Sequence, residues 1–340
     1  MKALPPPELQ RVQLGFVPLL DCALLVIARE QGFFAEQGLD VVLCRQNAWS
    51  TLRDKVAAGL LDGGQMLAPL PLAMTLGLGS EPCKTLAALN LSRNGNAIVL
   101  SQALAERANA GYSDEPAASA RALGGYLLRG TPERPPRLAM VHPHSCQHYQ
   151  LRQWLDLGEI DPQRDVELAV MPPPRMVEAM QRGEIDGFCV GEPWGTLAEA
   201  RHTGRIVATG AQLWPDHPEK VLGVTRRWAE RYPATLCHLI RALHYASQWL
   251  ALDPSHLRQA RDWLALPPYL DRSVEHLDHL PLGEAPLLQR MCGTDMLRPE
   301  ASAMQRFATQ MLSAASPTLA EHDTLETCYS PVHYDTATHH

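Results

Sequence analysis

The chain has 340 residues, a formal net charge of −7 and a hydrophobic content of 46%. That length exceeds one typical domain and predicts two lobes, each able to bury its own core. The acidic balance, with a pI near 6.0, argues against direct nucleic-acid binding, which normally calls for a basic domain or stripe.

The start, Met1-Lys2-Ala3-Leu4-Pro5-Pro6-Pro7-Glu8, places prolines where a secretion signal needs an apolar stretch of roughly 7–15 residues. No apolar run reaches membrane-spanning length. A cytoplasmic protein without membrane attachment is expected. A helix from Leu24 to Gln37 stops at Gly38 and leads into a strand at Val41-Val42-Leu43. A second helix, Thr51 to Ala58, stops at Gly59 and gives the turn Asp62-Gly63 and a strand through Gly64-Gln65-Met66. The same order returns later. Leu151 to Leu157 ends at Gly158 before the strand Val166–Val170, and Met176 to Arg182 ends at Gly183 before Asp186-Gly187 and Phe188-Cys189-Val190. Glycine in left-handed geometry just past the last helical turn is a common helix stop. Strands alternating with helices predict parallel sheets covered on both faces. Two such units predict an α/β protein of two similar lobes facing a ligand cleft.

Between the two copies, Ala103 to Pro136 is rich in Ala, Gly, Pro and Arg and is expected to carry the outward crossing between lobes, with short helices at Ala103–Arg107 and Ala117–Leu128. The return is expected at Lys220-Val221-Leu222-Gly223-Val224. The boundaries are therefore set at 1–104 with 223–340 for lobe I and 105–222 for lobe II. From Arg226 onward the pattern is helical, with long runs at Tyr232–Leu252 and Glu300–Ser313.

Chemistry-bearing motifs are sparse. Eight cysteines include no C-x-x-C pair and fit neither a zinc site nor a disulfide framework; Cys189 sits in an apolar run and reads as a small buried hydrophobe. His142, His144 and His148 form the densest histidine group but lack further metal-ligand partners at helical spacing. There is no G-x-S-x-G, Walker A or G-x-G-x-x-G motif. No catalytic set, metal or cofactor is expected. Open α/β sheets bind ligands where strands end in polar turns. Trp49 follows the strand through Leu43, and Gln65 lies in the strand after Asp62-Gly63. Asn96 opens the strand through Leu100, and Gln147 and His148 lie at the head of a helix whose N–H groups can face an anion. Gly191 and Glu192 follow Val190, and Lys220 begins the return strand. A few donors, one aromatic and one cation suit a small planar anion, whereas phosphate calls for several cations and bidentate arginines.

At these residues the chain resembles the nitrate- and nitrite-binding proteins of the NrtA/NasS/CmpA group. The resemblance is carried by Phe16–Ala23, by Asn47-Ala48-Trp49-Ser50-Thr51-Leu52-Arg53-Asp54-Lys55, by Asp62-Gly63-Gly64-Gln65-Met66-Leu67-Ala68-Pro69-Leu70-Pro71 and by Cys189-Val190-Gly191-Glu192-Pro193-Trp194. It runs from about residue 11 to the C-terminal helices. It implies a type-II periplasmic-binding-protein fold with the anion held by Trp49, Asn96, the Gln147/His148 turn, Gly191 and Lys220. Two positions depart from the family pattern: the His usual at Gln147 stands one place later here, and Asn96 stands where Gln is frequent. With the signal-free N-terminus, the resemblance implies a NasS-type sensor that controls an ANTAR-type RNA-binding antiterminator of the NasT kind. The alternative it implies is the nitrate- or bicarbonate-binding component of an ABC transporter.

Overall fold

The computed structural model describes residues 4–130, 134–272, 287–312 and 320–338. Met1–Ala3, residues 131–133 of the alanine- and arginine-rich segment, and Ser313 of the last long helix lie outside them. Two compact units form, one from residues 4–93 and the described residues beyond 217, the other from 94–130 and 134–217.

In chain order the first unit opens with β1 (Arg11–Phe16), α1 (Ala23–Glu30), α2 (Phe33–Glu36), β2 (Asp40–Arg45), α3 (Trp49–Ala57), β3 (Gly63–Leu67), α4 (Leu70–Leu76) and β4 (Thr85–Arg93). The second unit contributes β5 (Asn96–Ser101), α5 (Gln102–Ala108), α6 (Pro116–Leu128), β6 (Arg137–Met140), α7 (Cys146–Leu157), β7 (Glu167–Val170), α8 (Pro173–Gln181), β8 (Gly187–Gly191), α9 (Trp194–Ala200), β9 (Gly204–Thr209) and α10 (Gly210–Leu213). The chain then re-enters the first unit through β10 (Pro218–Thr225), followed by α11 (Arg226–Arg231), α12 (Pro233–Leu252) and α13 (Pro254–Ala265). The described helices beyond are α14 (Leu287–Met291), α15 (Ala301–Leu312), α16 (Ala320–Cys328) and α17 (Val332–Thr338). Among the described residues no helix is long and apolar enough to cross a membrane.

The first sheet has strand order β2-β1-β3-β10-β4 and the second β7-β6-β8-β5-β9. The two match strand for strand. β1 is parallel to β2 and β3 as β6 is to β7 and β8, and β10 runs antiparallel to β3 and β4 as β5 does to β8 and β9. The echo in the sequence is thus a repeated supersecondary order. The sheets are mixed, however, where purely parallel ones were expected. β5 and β10 are the strands on which the chain enters a new unit, and each runs against its neighbours. The boundaries also move, from 104/105 and 222/223 to 93/94 and 217/218. Asn94 (φ 54°) and Gly95 (φ 84°) make the turn, and β5, which lies before the alanine-rich segment, already belongs to the second sheet. Lys220, assigned to lobe II, sits with all of β10 in the first.

Local rules explain most of the helices. Of the four expected glycine stops, Gly38, Gly59 and Gly183 take left-handed φ values of 74°, 71° and 70°. The helix expected from Leu24 to Gln37 is broken at Gly32. Gly158 also departs from expectation: its φ is −100°, and the left-handed residue is Glu159, at φ 57°. Gly158 is needed for another reason. A Cβ there would meet the Ala120 carbonyl oxygen at 2.4 Å, and one on Gly124 would meet the Gly158 oxygen at 2.1 Å. α6 and α7 therefore touch backbone to backbone. In the first unit, α12 packs on α1, α2, α13 and α17. Its first turn is capped from a distance by Glu8, whose carboxylate accepts from the backbone N–H groups of Ala234 (3.0 Å) and Thr235 (2.7 Å).

Because that helix contact leaves no room for a methyl group, Gly158→Ala is expected to destabilise the protein by about 1–3 kcal/mol, as overpacking does. Gly111→Ala, where a Cβ meets nothing within 4 Å, is expected to stay within about 0.5 kcal/mol of the parent. Urea denaturation of both variants measures the difference.

Candidate functional site

In the first unit the polar centre is built around Lys220. Its strand β10 lies between β3 and β4, opposite Leu67 and Ser92, and the side chain has no exposure. A buried ammonium is tolerated only when paired and hydrogen-bonded. Lys220 Nζ lies 2.8 Å from Asp21 Oδ2 and 2.7 Å from Glu219 Oε1. A register shift between Pro218 and Lys220 lets the neighbouring residues Glu219 and Lys220 converge. Asp21 comes from the 3-10 turn before α1. Gln65 on β3 ties the group to the backbone: its Nε2 donates to Asp21 Oδ1, and its Oε1 accepts from Val17 N at 2.9 Å. Burial pushes the Asp21 carboxyl up to about 6, against the opposing pull of Lys220. The two carboxylates hold the Lys220 pKa above its ordinary value despite burial.

Trp49 opens α3, and its ring centroid stands 5.4 Å from Lys220 Nζ, within cation–π range. The indole Nε1 is buried and has no hydrogen-bond acceptor among the described residues, and neither does Ser92 Oγ have a partner. Trp49, Gln65 and Lys220 are thus brought together as expected. The role of Lys220 is corrected. Its charge was expected to be available to an anion, yet Asp21 and Glu219 already match it. Among the described residues, it retains one of its three N–H donors.

In the second unit the polar centre runs along α7. Ser145 caps that helix, accepting from His148 N at 3.0 Å. Gln147, Gln150 and Gln153 follow at three-residue spacing and so share one face. Gln147 Nε2 donates to Asn96 Oδ1 at 2.7 Å, and Asn96 Nδ2 donates to Gln150 Oε1 at 2.9 Å. Gln150 Nε2 lies 2.9 Å from His217 Nε2, and His217 Nδ1 lies 2.7 Å from the Trp214 carbonyl. Trp214 Nε1 in turn donates to Gln153 Oε1. An amide nitrogen can only donate, so His217 Nε2 accepts in this contact. Asn96 also pairs with Gly191 across β5 and β8.

Two expected ligand positions turn elsewhere. His148 Nδ1 reaches back to the Pro143 carbonyl at 2.5 Å, and its ring stacks on Tyr149 at 5.5 Å. Burial lowers its pKa, favouring the neutral ring. Between the two residues of the expected turn, Gln147 is the one joined to Asn96. Glu192 follows β8 through a cis peptide to Pro193 and folds onto its own helix, its Oε2 accepting from Thr196 N at 3.0 Å. Burial lifts its carboxyl to about 7. A side chain on Gly195 would crowd Glu192 Oε1 at 2.9 Å, which ties the small residue to the buried acid. Asp21, Glu219, Gln150 and His217 are members of these clusters that the sequence reading passed over. Only Gln150 carried a signal, its spacing from Gln147.

Glu192 generates a pH prediction. Its folded pKa, about 7, stands above its ordinary value of 4.5, so folding favours the protonated acid. That contribution is complete below pH 4.5 and is lost as pH rises through 7. The wild type is therefore expected to lose stability relative to Glu192→Gln between about pH 5 and pH 8, by on the order of 3 kcal/mol. Urea denaturation across that range tests it, and a pH-independent difference would place the carboxylate in solvent.

Comparisons with known proteins agree with the fold. The chain is 43% identical over 270 residues to the nitrate import ATP-binding protein NrtC of Synechocystis sp. PCC 6803, a match covering 78% of this chain and 38% of that protein. It is 40% identical over 272 residues to the bicarbonate transport ATP-binding protein CmpC of the same organism, covering 79% of this chain and 39% of that protein. The chain thus spans about two fifths of the length of those relatives. The crystal structure of the periplasmic nitrate-binding protein NrtA from Synechocystis PCC 6803 superposes with a TM-score of 0.87 at 25% identity, covering 98% of this chain and 90% of that one. The fold is the α/β periplasmic-binding-protein fold, and the chain, matched over residues 5–265, belongs to the NMT1-like family.

Proposed function

We propose that the protein is a receptor for a small planar oxyanion, nitrate or nitrite, and not an enzyme. The observation that carries this reading is the buried indole N–H of Trp49. It has no acceptor among the described residues, and its ring lies 5.4 Å from the Lys220 ammonium. A buried donor without a partner costs about 1–3 kcal/mol, and an anion oxygen beside it removes that cost. The remaining N–H of Lys220 is a second donor. Within the second unit, Asn96 and Gln147 form an amide pair of their own, and Asn96 pairs with Gly191 across β5 and β8. The names of the relatives, nitrate import and bicarbonate transport proteins, favour the same ligand class.

The finer proposal is a cytoplasmic sensor. The anion-free form binds an ANTAR-type RNA-binding antiterminator of the NasT kind, and nitrate or nitrite releases it. An acidic chain, at formal net charge −7, complements a basic RNA-binding partner. An anion shifts such an equilibrium only by its differential affinity for the two states, and linkage makes the effect reciprocal. The second reading is the solute-binding part of an ABC transporter, favoured by the transport names of the same relatives.

Trp49→Phe keeps the ring and removes the N–H. It is expected to weaken nitrate binding about tenfold, near 1.4 kcal/mol, with the urea midpoint unchanged or raised; calorimetry with an unaltered affinity would remove Trp49 from the site. For the sensor, the candidate antiterminator is expected to co-purify with the protein without nitrate and to dissociate with millimolar nitrate. A complex indifferent to nitrate defeats release, and nitrate-dependent association with a membrane permease instead installs the transport reading.

A further inference from the structure

Two carboxylates already share one ammonium at the polar centre of the first unit. Lys220 Nζ lies 2.8 Å from Asp21 Oδ2 and 2.7 Å from Glu219 Oε1, and Lys220, Asp21 and Glu219 are 0%, 1% and 0% exposed. An ammonium directs its three N–H bonds toward the corners of a tetrahedron. An anion oxygen accepting the third, at about 2.8 Å, therefore stands roughly 4.5 Å from each of those carboxylate oxygens. Away from water, repulsion between like charges at that separation is several-fold stronger than in solution. A like charge within about 4–6 Å favours the neutral form of a carboxyl. Asp21 is the acid closest to yielding. Burial lifts its carboxyl to about 6 even with Lys220 beside it. Its Oδ1 accepts from Gln65 and its Oδ2 faces Lys220. A carboxylate oxygen has two lone pairs, so among the described residues each keeps one for a proton.

We propose that each monovalent oxyanion bound at Lys220 enters with one proton, taken from solvent onto Asp21. This rests on the reading of Trp49 Nε1 and the third Lys220 N–H as the anion contacts. The proton converts Asp21 from carboxylate to carboxylic acid, and the negative charge it cancels is replaced by that of the anion. The total charge around Lys220 is then the same before and after binding. Nitrate is too weak a base to carry a proton itself near neutral pH, so the proton resides on the protein. Of the other groups around Asp21, Lys220 keeps its proton despite burial because of its two carboxylates. Cys22 on the same turn and Cys292 just beyond α14 are pushed toward the thiol by burial and by Asp21 itself. Arg93 on β4, which acts on Cys292, stays a cation, and Gln65 does not titrate. Glu219 is the remaining acceptor, and removing the Asp21 carboxyl separates the two.

Calorimetry of nitrate binding at about pH 7, in two buffers of different ionisation enthalpy, counts the protons taken up. Close to one per nitrate is expected. Affinity is expected to fall by close to tenfold per pH unit between about pH 6.5 and 8, and to level off below about pH 5.5, where Asp21 is already protonated. Asp21→Asn lacks the acid and is expected to take up no proton, with a flat pH profile and nitrate binding about tenfold tighter than wild type at about pH 8. Glu192→Gln removes the other buried acid near neutrality and is expected to keep the wild-type proton count. Wild type labelled with carbon-13 at its aspartate carboxyls gives a reading that needs no substitution. One resonance, titrating near pH 6 without ligand, is expected to titrate above about pH 7 with saturating nitrate. A proton count of zero in the wild type, a full count in Asp21→Asn, a count lost in Glu192→Gln or an unmoved aspartate titration overturns the proposal and leaves the oxyanion reading standing. A wild type that binds neither nitrate nor nitrite anywhere between about pH 5.5 and 8.5 overturns the oxyanion reading itself, and proton uptake with it.

Discussion

Desolvating an ammonium group costs several kcal/mol unless carboxylates and hydrogen bonds surround it. Lys220, with no exposure, meets that condition by drawing on three separate parts of the chain. Asp21 stands before α1, Gln65 on β3 and Glu219 on β10 itself, so the ion group joins the entry to the first helix with two neighbouring strands of one sheet. Burial wins over attraction at Asp21, which stays near 6 in spite of its cation. The strand that carries Lys220 is the central bond of the first unit. It separates β3 from β4 and has to be seated for either edge of the ion group to close.

The second unit solves the same problem with neutral groups. Asn96, Gln150 and His217 are buried as well, and the two amides carry no charge. Asn96 and Gln150 each use their carbonyl oxygen and one N–H in these bonds. A satisfied network of this kind avoids the penalty of a buried ion and specifies one arrangement of side chains. It also differs in what it permits. A charged group is fixed by its partners, whereas an amide has the same shape after a half-turn and exchanges donor for acceptor in doing so.

The repeated helix–glycine–strand order was legible because helix stops and Asp-Gly turns are written in local chemistry, and the two sheets match it strand for strand. Strand direction was not legible. Periodicity reports which face is buried and is blind to polarity, so β5 and β10 read the same whether parallel or antiparallel. Gly158 shows a residue read for the wrong reason: a glycine after a helix suggests left-handed geometry, but this one yields space to Ala120. The candidate residues divide in the same way. Trp49, Asn96, Gln147 and Gly191 lie at strand ends or helix starts, where position alone marked them, whereas Gln65 sits in the middle of β3 and Lys220 two residues into β10. Consecutive helical residues point about 100° apart, so His148 and Gln147 cannot serve one direction, and sequence could not choose between them. Of the partners of Lys220, Asp21 was hidden because it is far away in the chain and meets it only through folding, and Glu219 because successive strand residues ordinarily point to opposite faces.

The first sheet also has an order of assembly built into it. β10 lies between β3 and β4, yet on the ribosome it emerges only after the whole of Asn94–His217. The second sheet needs no strand from outside that stretch, so its elements are complete first, and domains generally fold as units during synthesis. Closing a loop of that length in a random chain carries an entropy cost that grows with the logarithm of its residues. Once the second unit has folded, the Asn94 N–H donates to the His217 carbonyl at 3.1 Å, and the two ends of the insertion are already side by side. For the nascent first unit, more than a hundred intervening residues then act as a tight turn, and β10 is delivered to the gap between β3 and β4 by a piece of finished structure.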